Sequence, residues 1–224
     1  MYLEENIKGL CDKFGIDYAS FMADLDVDGI DELTVSDLEI ICEEYNADLN
    51  TLLFKPMFKS NLLIKKLNSI KLLVLDVDGV LTDGGMYFTE NGDQFKKYNT
   101  KDGMAILHLT KKQYPVAIIS SGFKAQSVIK RAEMLGIEYC YVNREPKIVT
   151  LNSICDELNL SLENVAFIGD DINDLEVLKK VGFSACPCDA VQVVKSVVDV
   201  VLNSKGGEGC VRELIDFYIL DEPL

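Results

Sequence analysis

Three short runs without a polar side chain, residues 72–75, 116–119 and 165–168, constrain this chain more than anything else in it. Each is wholly apolar and too short for a helix, which is the pattern of a strand buried on both faces. Helical stripes lie between them. Ala125, Val128, Ile129, Ala132 and Leu135 form one; Ile148, Leu151, Cys155 and Leu158 form another, with Pro146 just ahead of it. Residues 198–202 read as a further strand. Strand and helix in alternation predict an α/β fold, a doubly wound (Rossmann-like) parallel sheet covered on both faces. Ligands of such sheets sit at the carboxyl ends of the strands.

The residues just after each run are chemically active. The first run leads into Asp76-Val77-Asp78-Gly79, the second into Ser120-Ser121-Gly122, and the third into Gly169-Asp170-Asp171-Ile172-Asn173-Asp174; Lys147 opens the helix after the second. Carboxylates crowded on one rim repel unless a cation sits among them. Hard oxygen ligands beside a phosphate suit Mg2+. A carboxylate can attack phosphorus to form an acyl phosphate that water then cleaves. Asp76, at a strand end, is the expected nucleophile. Asp78 is expected to protonate the leaving oxygen and later to deprotonate water. Ser120 and Lys147 are expected to hold the phosphoryl oxygens. Strand-end carboxylates also serve as plain turn formers, and the chain carries its own control. Asp26-Val27-Asp28-Gly29 repeats the tetrapeptide with no apolar strand before it, and is expected to be a loop. With Asp24 it mimics a calcium loop, but Val35 stands where the closing Glu belongs.

The four segments, in this order, resemble the haloacid dehalogenase (HAD) superfamily: residues 76–83, the serine pair, Lys147, and residues 169–174. The resemblance implies Asp76 as nucleophile, and Asp78 as the mark of phosphatases and phosphomutases. It implies Mg2+ held by Asp76, the backbone carbonyl of Asp78 and Asp170, with Asp171 or Asp174 as a further ligand. For the serine motif, counting from the strand selects Ser120, and counting back from the next helix selects Ser121. The stretches between motifs are too short for a cap domain. The first holds Met86-Tyr87-Phe88, Asn91-Gly92 and Gln94-Phe95, a β-hairpin with an Asn-Gly turn. In similar capless phosphatases tetramer neighbours and a C-terminal tail cover the site, so a homotetramer is expected. Asn99-Thr100-Lys101-Asp102-Gly103 and residues 206–213 are similar to the subfamily hydrolysing 2-keto-3-deoxy sugar acid phosphates, the octulosonate 8-phosphate and nononate 9-phosphate phosphatases. That places Lys101, Gly122, Glu208 and Arg212 as substrate contacts, with Glu208 and Arg212 alternatively capping the last helix. The octulosonate enzymes usually carry Arg where Glu208 stands, which points to the nine-carbon class.

Three domain segments are expected: a helical module at 1–55, a linker or linking helix at 56–69, and the phosphatase domain at 70–224. In the first, Ile7, Leu10, Cys11 and Phe14 share a helix face that Gly15 ends, and Ser36 with Glu39 has the spacing of a capping box. The module resembles a degenerate Cro-like helix-turn-helix, with helices in residues 7–25 and 33–53 and an acidic segment, 26–32, where the recognition helix should stand. Residues 1–54 carry fourteen acids against Lys8 and Lys13, within a chain of net charge −15. Nucleic-acid binding needs the opposite sign, so a protein partner is expected for this module, and a small sugar phosphate for the other. No apolar run approaches the ~18 residues of a membrane span. The first residues do not resemble a signal peptide, and seven scattered cysteines suit a reducing cytoplasm. His108, the single histidine, argues against a Ser-His-Asp triad, and no P-loop is present. The alternative is a non-catalytic or regulatory sugar-phosphate sensor.

Overall fold

The computed structural model describes residues 2–54, 57–58, 61–92, 94–122 and 125–220. Lys55, the last residue of the expected first module, and Pro56, Lys59 and Ser60 of the expected linker lie outside the described residues. The chain divides into two compact units, residues 1–64 and 65–224.

The first unit holds α1 (Leu3–Phe14), α2 (Tyr18–Asp24), α3 (Val35–Glu44) and α4 (Leu49–Phe54). Its core is Ile7 and Leu10 from α1, Phe21 and Met22 from α2, Ile41 from α3 and Leu52 from α4. Gly15 ends α1 at φ 67°, a conformation that costs glycine nothing. The capping box stands two residues upstream of the expected one. The Asp37 amide donates to Thr34 Oγ1 at 3.3 Å, and the Thr34 amide donates to Asp37 Oδ2 at 2.8 Å. Thr34 is extended, as an N-cap must be, whereas Ser36 is already inside the helix. Residues 26–32 form a loop closed by one short turn, Ile30–Glu32.

α5 (Asn61–Leu67) spans the boundary. The second unit then runs β1 (Leu72–Leu75), β2 (Tyr87–Phe88), β3 (Gln94–Phe95), α6 (Thr100–Lys111), β4 (Val116–Ser120), α7 (Gln126–Met134), β5 (Tyr139–Val142) and α8 (Lys147–Leu158). It continues with β6 (Val165–Ile168), α9 (Leu175–Leu178), β7 (Phe183–Cys186), α10 (Gln192–Lys195), β8 (Val200–Val201) and α11 (Cys210–Leu214). Six strands form one parallel sheet in the order β5-β4-β1-β6-β7-β8. β2 and β3 form the separate antiparallel hairpin, with Gly92 in its loop at φ 78°. Every side chain of β1 and β6 is buried, each contributing roughly 1.5–3 kcal/mol for a full-sized aliphatic or aromatic group.

The apolar runs missed β5 and β7. β5 is a half-buried edge strand of Tyr139, Cys140, Tyr141 and Val142. β7 is interrupted by Ser184, whose amide donates to Asp199 Oδ2 at 3.0 Å while its Oγ accepts from the Asp199 amide at 3.1 Å. That exchange starts the strand expected over 198–202, of which only Val200–Val201 pairs.

The chain leaves β1 toward β4 and β5, then crosses back to β6, so the strand order reverses between β1 and β6. Leu75 is level with Ile118 on one side and Ile168 on the other. The residues that end these three strands therefore share one rim, at the switch point where open sheets bind ligands.

Candidate active site

A cavity of about 600 Å³ opens at this rim, lined by Asp76, Asp78, Ser120, Ser121, Gly122, Asp170 and Asp171, with Met86, Phe88, Gln94 and Lys96 from the hairpin region. Its floor begins where β1 stops. The Asp76 amide still donates to the Ile168 carbonyl at 3.1 Å, which pins the residue to the sheet. One wide turn, Val77–Leu81, comes next. It needs Gly79 on two counts. Its φ is 86°, and a Cβ there would meet Asp170 Oδ2 at 2.1 Å.

Lys147, the first residue of α8, is only 3% exposed. Its Nζ donates to Asp76 Oδ1 and to Asp174 Oδ1, each at 2.6 Å. Burial alone would lower its pKa; Asp76 and Asp174 outweigh that and raise it, so it stays an ammonium. The other Asp174 oxygen accepts from the amides of Asp170 at 3.1 Å and Asp171 at 3.4 Å. Asp174 thus ties the loop after β6 to Lys147. Asp171 is exposed and bonds the Ile172 amide at 2.7 Å. Ser120 is buried at the last position of β4, its Oγ accepting from the Gly122 amide at 3.2 Å, and Ser121 succeeds it on the cavity wall.

One oxygen each from Asp76, Asp170 and Asp174 lies within 4.8 Å of the others. Lys147 is the one cation bonded to this group among the described residues. Burial, with Asp76, Asp174 and Asp171 nearby, pushes the Asp170 carboxyl up to about 8. Burial pushes Asp76 up to about 6 against the pull of Lys147. A surplus of hard, mutually repelling oxygens is the donor set of a divalent cation.

Not every expected contact reaches the cavity. Lys101 and Glu208 are exposed and absent from its lining. Arg212 is absent too: its Nε donates to Asp216 Oδ2 at 2.5 Å and its amide to Asp102 Oδ1 at 2.7 Å. The acid that caps α11 is therefore Asp102 of α6. The glycine-rich loop before α11 buttresses the turn after Asp76: a Cβ on Gly206 would lie 1.9 Å from the Gly79 carbonyl oxygen, and the Gly207 amide donates to the Val80 carbonyl at 2.9 Å. Lys96 was not foreseen. Its Nζ donates to Asp78 Oδ1, while Lys97 turns to Asp83. The two lysines follow β3 side by side and end on different acids, a choice that no pattern in the sequence marks.

A parallel sheet that delivers these acids, a serine and a lysine to a single rim has the architecture of a phosphoryl-transfer hydrolase. Residues 143–214 match the haloacid dehalogenase-like hydrolase family. The 3-deoxy-D-manno-octulosonate 8-phosphate phosphatase KdsC of Escherichia coli K12 is 40% identical over 157 residues, covering 70% of this chain and 83% of that protein. The crystal structure of the Yersinia pestis phosphatase of the same name aligns with a TM-score of 0.67 at 36% identity, over 70% of this chain and 84% of that one. The Moraxella catarrhalis phosphatase, in complex with magnesium ion, phosphate ion and a KDO molecule, aligns with a TM-score of 0.68 at 30% identity, over 72% of this chain and 92% of that one. The chain belongs to the haloacid dehalogenase-like hydrolases, in the branch of the 3-deoxy-D-manno-octulosonate 8-phosphate phosphatases, and is a phosphoric monoester hydrolase. These relatives lend no support to the helix-turn-helix resemblance of residues 1–55. Among the described residues no helix is long and apolar enough to cross a membrane.

Proposed function

We propose that this chain hydrolyses the phosphate ester of a 2-keto-3-deoxy sugar acid, of the octulosonate 8-phosphate or nononate 9-phosphate class, through an aspartyl-phosphate on Asp76. The observation that carries the reading is the buried Lys147 locked between Asp76 and Asp174, with Asp170 beside them. It holds an ionised carboxylate at the cavity floor with one oxygen fixed, as a nucleophile requires. Asp76 attacks phosphorus, and the ester oxygen leaves with a proton from Asp78. Asp78 then takes a proton from the water that cleaves the acyl phosphate. Ser120 or Ser121 donates to the phosphoryl oxygens from the cavity wall. Asp76, Asp170 and the Asp78 carbonyl would hold Mg2+, with Asp171 near; Asp174 is engaged by Lys147 and two amides. Bound there, the cation neutralises charge on the transferring phosphoryl group.

The substrate class is supported by the named relatives, since Glu208, the residue favouring nine carbons, is exposed away from the cavity lining. Phosphate release from a panel of eight- and nine-carbon keto-acid phosphates with Mg2+ tests the reading. The wild type is expected to turn over one class, and Asp76→Asn to lose more than about 1000-fold. Full turnover by that variant would remove the mechanism. Met86, Tyr87, Phe88 and Phe95 leave the hairpin apolar and exposed, which suits burial between copies in a homotetramer. Sedimentation of a lone monomer at micromolar concentration would count against it.

A further inference from the structure

We infer that Lys96 receives the carboxylate of the substrate, and that it does so by exchanging partners, leaving the Asp78 carboxylate as the substrate's carboxylate arrives. This rests on the sugar acid phosphate reading of the same site.

Three observations combine. The Lys96 side chain is only 4% exposed, yet its ammonium ends at the cavity on an Asp78 side chain that is 45% exposed. A buried stem fixes where the charged head sits, while an open partner can be replaced. Among the described residues Lys96 is also the one cation in the lining, against the carboxylates Asp76, Asp78, Asp170 and Asp171. Lys147 is held by Asp76 and Asp174 and is not part of the lining, and the neighbouring Lys97 turns to Asp83. Finally, Asp78 must face the ester oxygen to do its work, and Oδ1 of that carboxylate is bonded to Lys96. A substrate bringing a second anion draws the ammonium off Asp78 and seats itself in one event. A neutral sugar phosphate leaves the pair intact and meets an occupied acid. Lys96 thereby couples recognition of one end of the substrate to chemistry at the other.

The test compares an acid phosphate selected by the panel, octulosonate 8-phosphate or nononate 9-phosphate, with its neutral C1 carboxamide. Wild type, Lys96→Met and Lys96→Arg are assayed for kcat and KM, and calorimetry tracks binding of the dephosphorylated sugar acid without turnover. Wild type is expected to prefer the acid by roughly 10- to 100-fold in kcat/KM, the scale of one charge-assisted hydrogen bond. Lys96→Met should bring the ratio near one from both sides, slowing the acid with a matching loss of sugar-acid binding and speeding the carboxamide, which no longer meets an Asp78 occupied by Lys96. Lys96→Arg should restore part of both. The carboxamide rate and the melting temperature report whether Lys96→Met is folded. Equal losses on both substrates, or an undiminished preference for the acid, would overturn the assignment while leaving the phosphatase reading standing. A wild type that hydrolyses no acid phosphate on the panel would overturn both.

Discussion

The tetrapeptide Asp-Val-Asp-Gly stands at residues 26–29 in the first unit and at 76–79 in the second, and the two copies lead different lives. In the first, Asp26 and Asp28 are exposed in a loop, and the Asp28 amide donates to Glu32 Oε2 at 2.8 Å. In the second, Asp76 is buried at the end of a strand, bonded to a buried lysine, with burial raising its pKa to about 6. The same four residues are a solvated loop in one place and carry a buried, lysine-bonded carboxylate in the other. What differs is the preceding strand, which carries the carboxylate out of water, and three distant segments that give it partners. Desolvation with a fixed partner makes a carboxylate reactive; spacing alone does not.

The largest effect should separate the copies outright. Asp76→Asn is expected to abolish phosphate release, whereas Asp26→Asn should keep kcat/KM within about twofold. A comparable loss from both would break the contrast.

Next comes pH with metal. As pH rises past 3.8 the unfolded chain ionises its carboxyls, while the folded, metal-free protein keeps Asp76 protonated to about 6 and Asp170 to about 8. The folded state then binds more protons, so these groups lower stability as pH rises over that range. Mg2+ requires the ionised forms, so its addition should raise the melting temperature more at pH 8 than at pH 5. Equal shifts at the two pH values would contradict the cluster as the metal site.

Smaller, and a matched pair, are the two glycines. Gly79→Ala puts a Cβ against Asp170 at φ 86° and should cost about 1–3 kcal/mol along with most activity. Gly29 has an extended φ of −161° and nothing within 4 Å, so Gly29→Ala should stay within about 0.5 kcal/mol in urea unfolding. Smallest is Thr34→Ala, which removes a cap within the first unit; about 1 kcal/mol is expected there, with kcat/KM unchanged.

The rim of the sheet was legible because fully buried strands must be apolar without interruption, and the residue where the run breaks is the one reaching the rim. Asp76, Ser120 and Asp170 are such residues. β5 and β7 escaped because an edge strand and a strand holding Ser184 on Asp199 need no continuous run. Lys96 and Asp102 escaped for another reason. Their partners, Asp78 and the Arg212 amide, lie 18 and 110 residues away in sequence, and charge alone does not name a partner. Glu208 shows the converse: a position singled out by resemblance sits exposed, away from the cavity lining.

From the sequence by itself came the α/β alternation, the acids at the strand ends, the hairpin and the helical first unit, since periodicity and turn chemistry act between near neighbours. The tertiary structure alone decided that Lys147 bridges Asp76 and Asp174, that Asp102 caps α11, and that Lys96 rather than Lys97 meets Asp78. Those pairings depend on which side chains lose water together, and burial is a property of the whole packed unit.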